Sequence, residues 1–223
     1  MATFCIGGFI GANFAGGLAN FLGRKRLIVC LNAPFLLAGG LAFFAGWAKG
    51  NTGLYALITS RILQGLGSGC ASVATPMYLG EIATSETKGA FGALNQFVLV
   101  IFILIVQLLG LVMSTTALWG PLLALTGVLA ILGVLSSPFF VESPRWLHSQ
   151  GRVDEAKKSL VALRHCSEDE ADNEVAEWDA EIQNGGSNKQ MGMSDVLKRT
   201  DLRFPLLIAC IISLTQQLSG INA

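Results

Sequence analysis

Five stretches of this 223-residue chain carry no Asp, Glu, Lys or Arg: residues 1–23, 27–48, 62–80, 89–141 and 204–223. About 20 apolar residues let a helix cross the hydrocarbon core of a bilayer. The fourth stretch is long enough for two crossings, with a break at Ser114, Thr115 and Thr116 just before Trp119, an aromatic suited to the membrane interface. The pattern predicts six spanning helices, at about 1–22, 27–47, 53–80, 90–112, 118–140 and 205–223.

The one long hydrophilic region is 142–203. Within it, residues 151–165 set Val153, Ala156, Leu160, Val161 and Leu163 among Arg152, Lys157, Lys158 and Arg164, a pattern for a short amphipathic helix. An acidic segment, 168–181, reads either as part of a cytoplasmic insert or as a solvated linker. A flexible Asn184-Gly185-Gly186-Ser187-Asn188 break follows, and then a short helix around Ser194–Lys198 before the chain re-enters at Phe204-Pro205.

Composition agrees with a membrane protein, at 52% hydrophobic and 13% charged residues and a mean hydropathy of +0.57. The zero net charge conceals an asymmetry. Most of the fifteen Lys and Arg fall at Arg24–Arg26, at Lys88 and from Arg145 to Arg203, which alternating topology places on one side. Lys49 and Arg61 fall toward the other. The positive-inside rule makes the clustered side cytoplasmic, so the first helix runs inward. A signal peptide fits poorly, because the basic residues follow the first apolar run instead of preceding it. Cys5, Cys30, Cys70 and Cys210 lie in predicted spans and Cys166 in the hydrophilic region, with no metal-ligand spacing, and core packing is expected of them. His148 and His165 are expected to be exposed. Asn13, Asn32 and Gln107 read as ties between helices, Trp119 as structural, and Gly7, Gly11, Gly65 and Gly69 as close-packing positions.

Three turns carry chemistry. Gly23 permits a tight reversal, and Arg24, Lys25 and Arg26 hold it at the surface. Glu81, after Pro76-Met77-Tyr78-Leu79-Gly80, stands at a helix end near Lys88. Ser143 followed by Pro144 is a good helix start, flanked by Glu142 and Arg145. The last span ends in Gln216, Gln217 and Asn222, amides that need protein partners or a ligand in a lipid setting. No nucleophile–base pair, metal cluster or phosphate loop appears, so no enzymatic activity and no cofactor are expected.

Gly23-Arg24-Lys25, Arg61 with Gly65 and Gly69, Pro76-x-Tyr78-x-x-Glu81-Ile82, Glu142-Ser143-Pro144-Arg145 and the run from Gln216 to Asn222 stand in the order and spacing of one family. The chain resembles the sugar porters of the major facilitator superfamily, and most nearly the animal facilitative glucose transporters. The resemblance covers the whole chain, from the second transmembrane helix into the seventh. It implies an all-α integral membrane protein with an incomplete major facilitator fold: 1–141 as the N-terminal bundle lacking its first helix, 142–203 as a cytoplasmic helical linker, and 204–223 as the start of the C-terminal bundle.

The resemblance further implies that Gln96, Gln216, Gln217 and Asn222 hydrogen-bond a hexose, with Leu99 and Ile103 as an apolar wall. Amides offer both donors and acceptors to a polyol without burying a charge. Arg24, Lys25, Glu81, Lys88, Glu142 and Arg145 would form a cytoplasmic ion-pair lock, built of partly exposed pairs worth about 0–1 kcal/mol each. The implied function is facilitated hexose transport by alternating access, as part of a longer carrier in the plasma membrane. Its partners would be the hexose, the lipid bilayer and the missing C-terminal bundle, with no nucleic acid. Two alternatives stand beside it: a proton-coupled sugar symporter, and a truncated membrane protein without transport activity. Phe21, Thr84 and Val141 depart from the family pattern, as do Phe102 at a usual glycine and Ser213-Leu214-Thr215 in place of Gln-Leu-Ser, which leaves the hexose open.

Overall fold

The computed structural model describes residues 2–48, 50–84, 86–113, 119–164, 167–183 and 200–218. The expected break at Ser114–Thr116, His165, Cys166, the 184–188 break, the 194–198 helix and Asn222 lie outside them. Two compact units result, 1–175 and 176–223.

The first unit opens with α1 (Ala2–Leu22), turns at Gly23, and continues through α2 (Arg24–Cys30) and α3 (Asn32–Trp47). A second positive-φ glycine, Gly50, leads into α4 (Asn51–Ile82). Then come α5 (Lys88–Met113) and α6 (Trp119–Leu135), and the short α7 (Pro144–Ser149) and α8 (Val153–Arg164). Helix α9 (Glu168–Gln183) runs from the first unit into the second. The second unit holds α10 (Thr200–Leu218).

The helices α1, the run Arg24–Trp47 and α5 are each long and apolar enough to cross a membrane; α6 and 203–215 are shorter apolar segments. Helix α4, at 32 residues, is about 48 Å long at 1.5 Å per residue. That exceeds the roughly 30 Å hydrocarbon core, so one end projects into polar surroundings. The second span begins at Arg24, three residues earlier than the apolar pattern predicts. The fifth ends at Leu135 instead of 140, because Pro138 lacks a backbone N–H and the chain passes into a 3₁₀ turn, Ser137–Phe139. The sixth begins at Thr200, not 205.

Small residues set the packing. A Cβ on Gly7 or Gly11 would strike the α4 carbonyls of Ile62 or Leu66, and one on Gly65 or Gly69 would strike those of Phe4 or Gly8 on α1. Helices α3 and α6 meet in the same way, Gly39 on Gly127 and Gly46 on Gly120. Lipid offers helices no hydrophobic drive to associate, so close backbone approach and polar bonds hold them together. The polar bonds are present: Ser60 Oγ donates to Ala38 O (2.8 Å), and Gln64, which accepts from Arg61 (3.1 Å), donates to Thr126 Oγ1 (3.3 Å). Asn13 instead bonds Phe9 O one turn back on its own helix, and Asn32 at the start of α3 bonds Ile28 O and Val29 O of the adjoining α2, a tie within one apolar run and not between spans. Of the described cysteines only Cys70 is packed in the core, its thiol donating to Gly11 O; Cys5, Cys30 and Cys210 are exposed. His148 is half-buried, not exposed.

Candidate functional site

The polar joint is built where three helix ends meet. Gly23 has φ +89°, a conformation side chains resist, and a Cβ there would lie 2.6 Å from Glu142 Oε2 and 3.1 Å from the Trp146 ring. The tight turn aims the first N–H groups of α2 at Glu142. Its Oε1 accepts from the main-chain N–H of Arg24 (2.8 Å), Lys25 (2.9 Å) and Ser143 (3.1 Å). A carboxylate at a helix N-terminus satisfies orphan donors and complements the dipole.

Arg24 itself is buried, with 4% of its side chain exposed, and faces Glu81 at the end of α4, 17% exposed. Its Nε lies 3.0 and 2.8 Å from the two Glu81 oxygens and its Nη2 2.7 Å from Oε1. Nη1 donates to Ala19 O (3.2 Å) and Asn20 Oδ1 (3.3 Å). Ser143 Oγ donates to Glu81 Oε2 at 2.5 Å and accepts from Trp146 N–H at 3.2 Å, capping α7 as the Ser-Pro pair predicts. This pair is more enclosed than the partly exposed bridges anticipated from sequence. Removing one partner of a buried pair costs about 3–5 kcal/mol, against about 0–1 kcal/mol at the surface.

Further bonds attach the short helices. Tyr78 Oη donates to Val141 O (2.6 Å), Trp146 Nε1 to Asn20 O (3.0 Å), and Ser159 Oγ of α8 to Glu142 O (2.5 Å). Lys157 and Arg164 then pair with Asp172 and Glu174, so the acidic segment is a helix docked on α8 and not a solvated linker.

Of the expected lock residues, the structure brings Arg24, Glu81 and Glu142 together. Lys25 joins through its main chain, and Arg145 stands exposed in the first turn of α7. Lys88 opens α5, exposed, and its side chain makes no ion pair among the described residues. Tyr78, Ser143 as donor to Glu81, Trp146, Asn20 and Ser159 complete a network that the charge pattern alone does not disclose. A tyrosine three residues before Glu81 at a helix end is the nearest sequence signal.

Of the expected sugar-binding residues, Gln96, Leu99 and Ile103 lie on α5, a helix with no buried residue. Spacings of three and four place them on one stripe. Gln96 makes no hydrogen bond to other described residues, and neither does Gln107 of the same stripe, which is exposed and not a tie to a neighbouring helix. Gln216 and Gln217 lie within α10. No group of His, Cys, Asp and Glu able to hold a metal occurs among the described residues.

The family profile "Sugar (and other) transporter" matches residues 1–223. "Solute carrier family 2, facilitated glucose transporter member 4" of Mus musculus is 38% identical over 226 residues, covering 100% of this chain and 43% of that protein. Member 3 of Ovis aries is 35% identical over 225 residues, covering 100% and 45%. The chain thus spans less than half the length of these relatives. Among solved structures, the partially occluded inward-open xylose transporter XylE of E. coli matches with a TM-score of 0.80 at 24% identity, over 99% of this chain and 52% of that one. The major facilitator proton:xylose symporter XylE bound to 6-bromo-6-deoxy-D-glucose matches at 0.79 and 25% identity, over 99% and 49%. The chain belongs to the sugar transporter family, as an integral multi-pass membrane protein that folds as part of the major facilitator architecture.

Proposed function

We propose that this chain forms part of a facilitative hexose carrier of the plasma membrane that works by alternating access, with no catalytic step and no cofactor. The observation that carries this reading is the buried joint of Arg24, Glu81, Glu142 and Ser143, which ties the ends of α2, α4 and α7 by charged and polar bonds. Charged bonds between helix ends can break and reform with little repacking, as a gate must on every cycle. The membrane interior supplies the other half of the argument. Gln96, Leu99 and Ile103 present an amide and an apolar wall on a helix face left exposed among the described residues, and Gln216, Gln217 and Asn222 are proposed as further hexose-binding amides. The remaining bundle of the carrier would close the cavity around the sugar, and Lys88 and Arg145 would join the gate when α5 and α7 shift.

The family is one of transporters, and the curated relatives are facilitated glucose transporters. A second reading, proton-coupled sugar symport, draws support from the solved relative described as a proton:xylose symporter. A third, a membrane protein that does not transport by itself, follows from the spanned length of the relatives. Uptake of radiolabelled glucose and fructose into liposomes separates the three. The 223-residue chain, and any longer product that contains it, would be reconstituted and assayed with and without a pH gradient. Gradient-independent uptake by the longer product supports the facilitator. Uptake that requires the gradient replaces it with the symporter, and absence of uptake from every product supports the non-transporting protein.

A further inference from the structure

Beside the joint lies a cavity of about 440 Å³, within the size range of small-molecule sites. Lys25, Arg26, Arg152 and Lys158 line it, together with the apolar Trp146 and Leu147. Two carboxylates share the lining, and both are already engaged. Glu142 accepts three main-chain N–H groups through Oε1, and Glu155 takes the Arg152 guanidinium at 2.8 and 2.5 Å. The side chains of Lys25, Arg26 and Lys158 form no hydrogen bond or ion pair among the described residues. Two come from the first turn of α2 and one from α8, so cations from separate segments converge on one open cleft, in which four cations outnumber two carboxylates. Sugar binding uses none of them, and the joint takes only the main-chain N–H of Lys25, leaving its ammonium unused.

We propose that this cavity binds a phosphorylated ligand, its phosphate held between Lys25 and Arg26 on one side and Lys158 on the other. A phosphate carries about two charges and several acceptor oxygens. It answers three cations better than a single carboxylate does, and an arginine fork can take two of its oxygens. The remaining part of the ligand rests against Trp146 and Leu147. Bound there, it bridges α2 to α8 and reinforces the attachment that Ser159 makes to the Glu142 carbonyl. The phosphate can belong to a soluble metabolite or to a lipid headgroup.

The test uses the full chain in lipid nanodiscs and contains no sugar, so its result is independent of the transport reading. One arm adds inorganic pyrophosphate to discs of phosphatidylcholine; the other places phosphatidylinositol 4-phosphate in the discs without soluble ligand. Hydrogen exchange over α8 is read in both, together with pyrophosphate affinity in the first. Slowed exchange in the first arm assigns a soluble phosphate, in the second alone a lipid headgroup, and either supports the site. Lys158→Gln is expected to weaken binding about tenfold, the loss of one charge-assisted bond. Lys157→Gln removes the same charge one residue away, from a lysine paired with Asp172 at 2.7 Å, and is expected to leave binding unchanged. Lys25→Gln with Arg26→Gln tests the opposite wall. Unchanged exchange in both arms overturns the proposal, and so does equal weakening by the two α8 variants, which would mark diffuse charge attraction.

Discussion

Glu142 caps a helix that begins 118 residues earlier in the chain: its Oε1 accepts the N–H of Arg24 at 2.8 Å, while the Arg24 guanidinium turns away to Glu81. One arginine thus uses its backbone for one carboxylate and its side chain for another. The loop before α7, the start of α2 and the end of α4 are fixed by a single residue.

Replacing Glu142 by Ala leaves the α2 donors without their acceptor and is expected to destabilise the fold by about 1–3 kcal/mol. Glu142→Gln retains one acceptor oxygen and should recover part of the loss. Thermal unfolding in nanodiscs measures both, and equal melting of wild type and Glu142→Ala would contradict the capping role.

Gly23 and Gly151 both have positive φ, 89° and 75°, but only Gly23 faces neighbours within 4 Å. Gly151→Ala is expected to cost about 1–2 kcal/mol from backbone strain alone. Gly23→Ala adds the clash with Glu142 and Trp146, about 1–3 kcal/mol more. The difference between their melting temperatures isolates the steric part, and a smaller effect at Gly23 would refute this geometry.

The α1–α4 contact makes a sharper contrast. Gly69→Ala forces a Cβ into the backbone of Gly8, whereas Gly16 on α1 has nothing within 4 Å. Gly69→Ala should destabilise strongly; Gly16→Ala should be neutral or stabilising by up to about 1 kcal/mol through helix propensity. Folded yield and melting temperature of the pair check this, and tolerance of Gly69→Ala would show that the helices can part without loss.

Arg24 and Glu81 should be strongly coupled. Arg24→Gln and Glu81→Gln are each expected to cost about 3–5 kcal/mol, and the double variant less than their sum. Arg24→Lys should not restore the wild type, because a single ammonium cannot reproduce the two-nitrogen contact. Additive losses in a double-mutant cycle would mean that the pair contributes nothing as a pair.

Gln96 is exposed and makes no hydrogen bond to other described residues, so Gln96→Ala is expected to leave the melting temperature unchanged. In a longer product that takes up hexose, it should reduce uptake at least about tenfold, the scale of an amide's lost bonds to a polyol. Lower stability with unchanged uptake would reassign Gln96 to packing.

Each expected span coincides with helical chain, α1, α2 with α3, α4, α5, α6 or α10, because charge is costly in lipid and composition marks apolar helices; among the described residues three of the six are long and apolar enough to cross a membrane. They place ends less well: Pro138 stops α6 early, and an apolar count carries no information on the missing N–H. Gly23 and Ser143-Pro144 are readable as turn and cap since their local chemistry is sufficient. The two carboxylates are readable as gate candidates, but their division of labour is not. Glu142 works on backbone N–H groups far away in the chain, which no side-chain pattern records. The acidic helix α9 hides behind its charge, although Ala171, Val175 and Trp178 recur at helical spacing and are buried. Gln64 and Thr126 escape notice because a polar residue inside a span has many possible partners, and only the packed helices select one.

The length of α4 gives it the reach of a lever. Were it to pivot at the glycine contacts with α1 near Gly65 and Gly69, Glu81 would lie roughly 20 Å from the pivot by helical rise. A tilt of only about 5° about that pivot would carry Glu81 some 2 Å, beyond the reach of hydrogen bonds that hold at 2.7–3.0 Å. A movement too small to disturb the glycine seam at its centre is enough to open or close the charged joint at its tip.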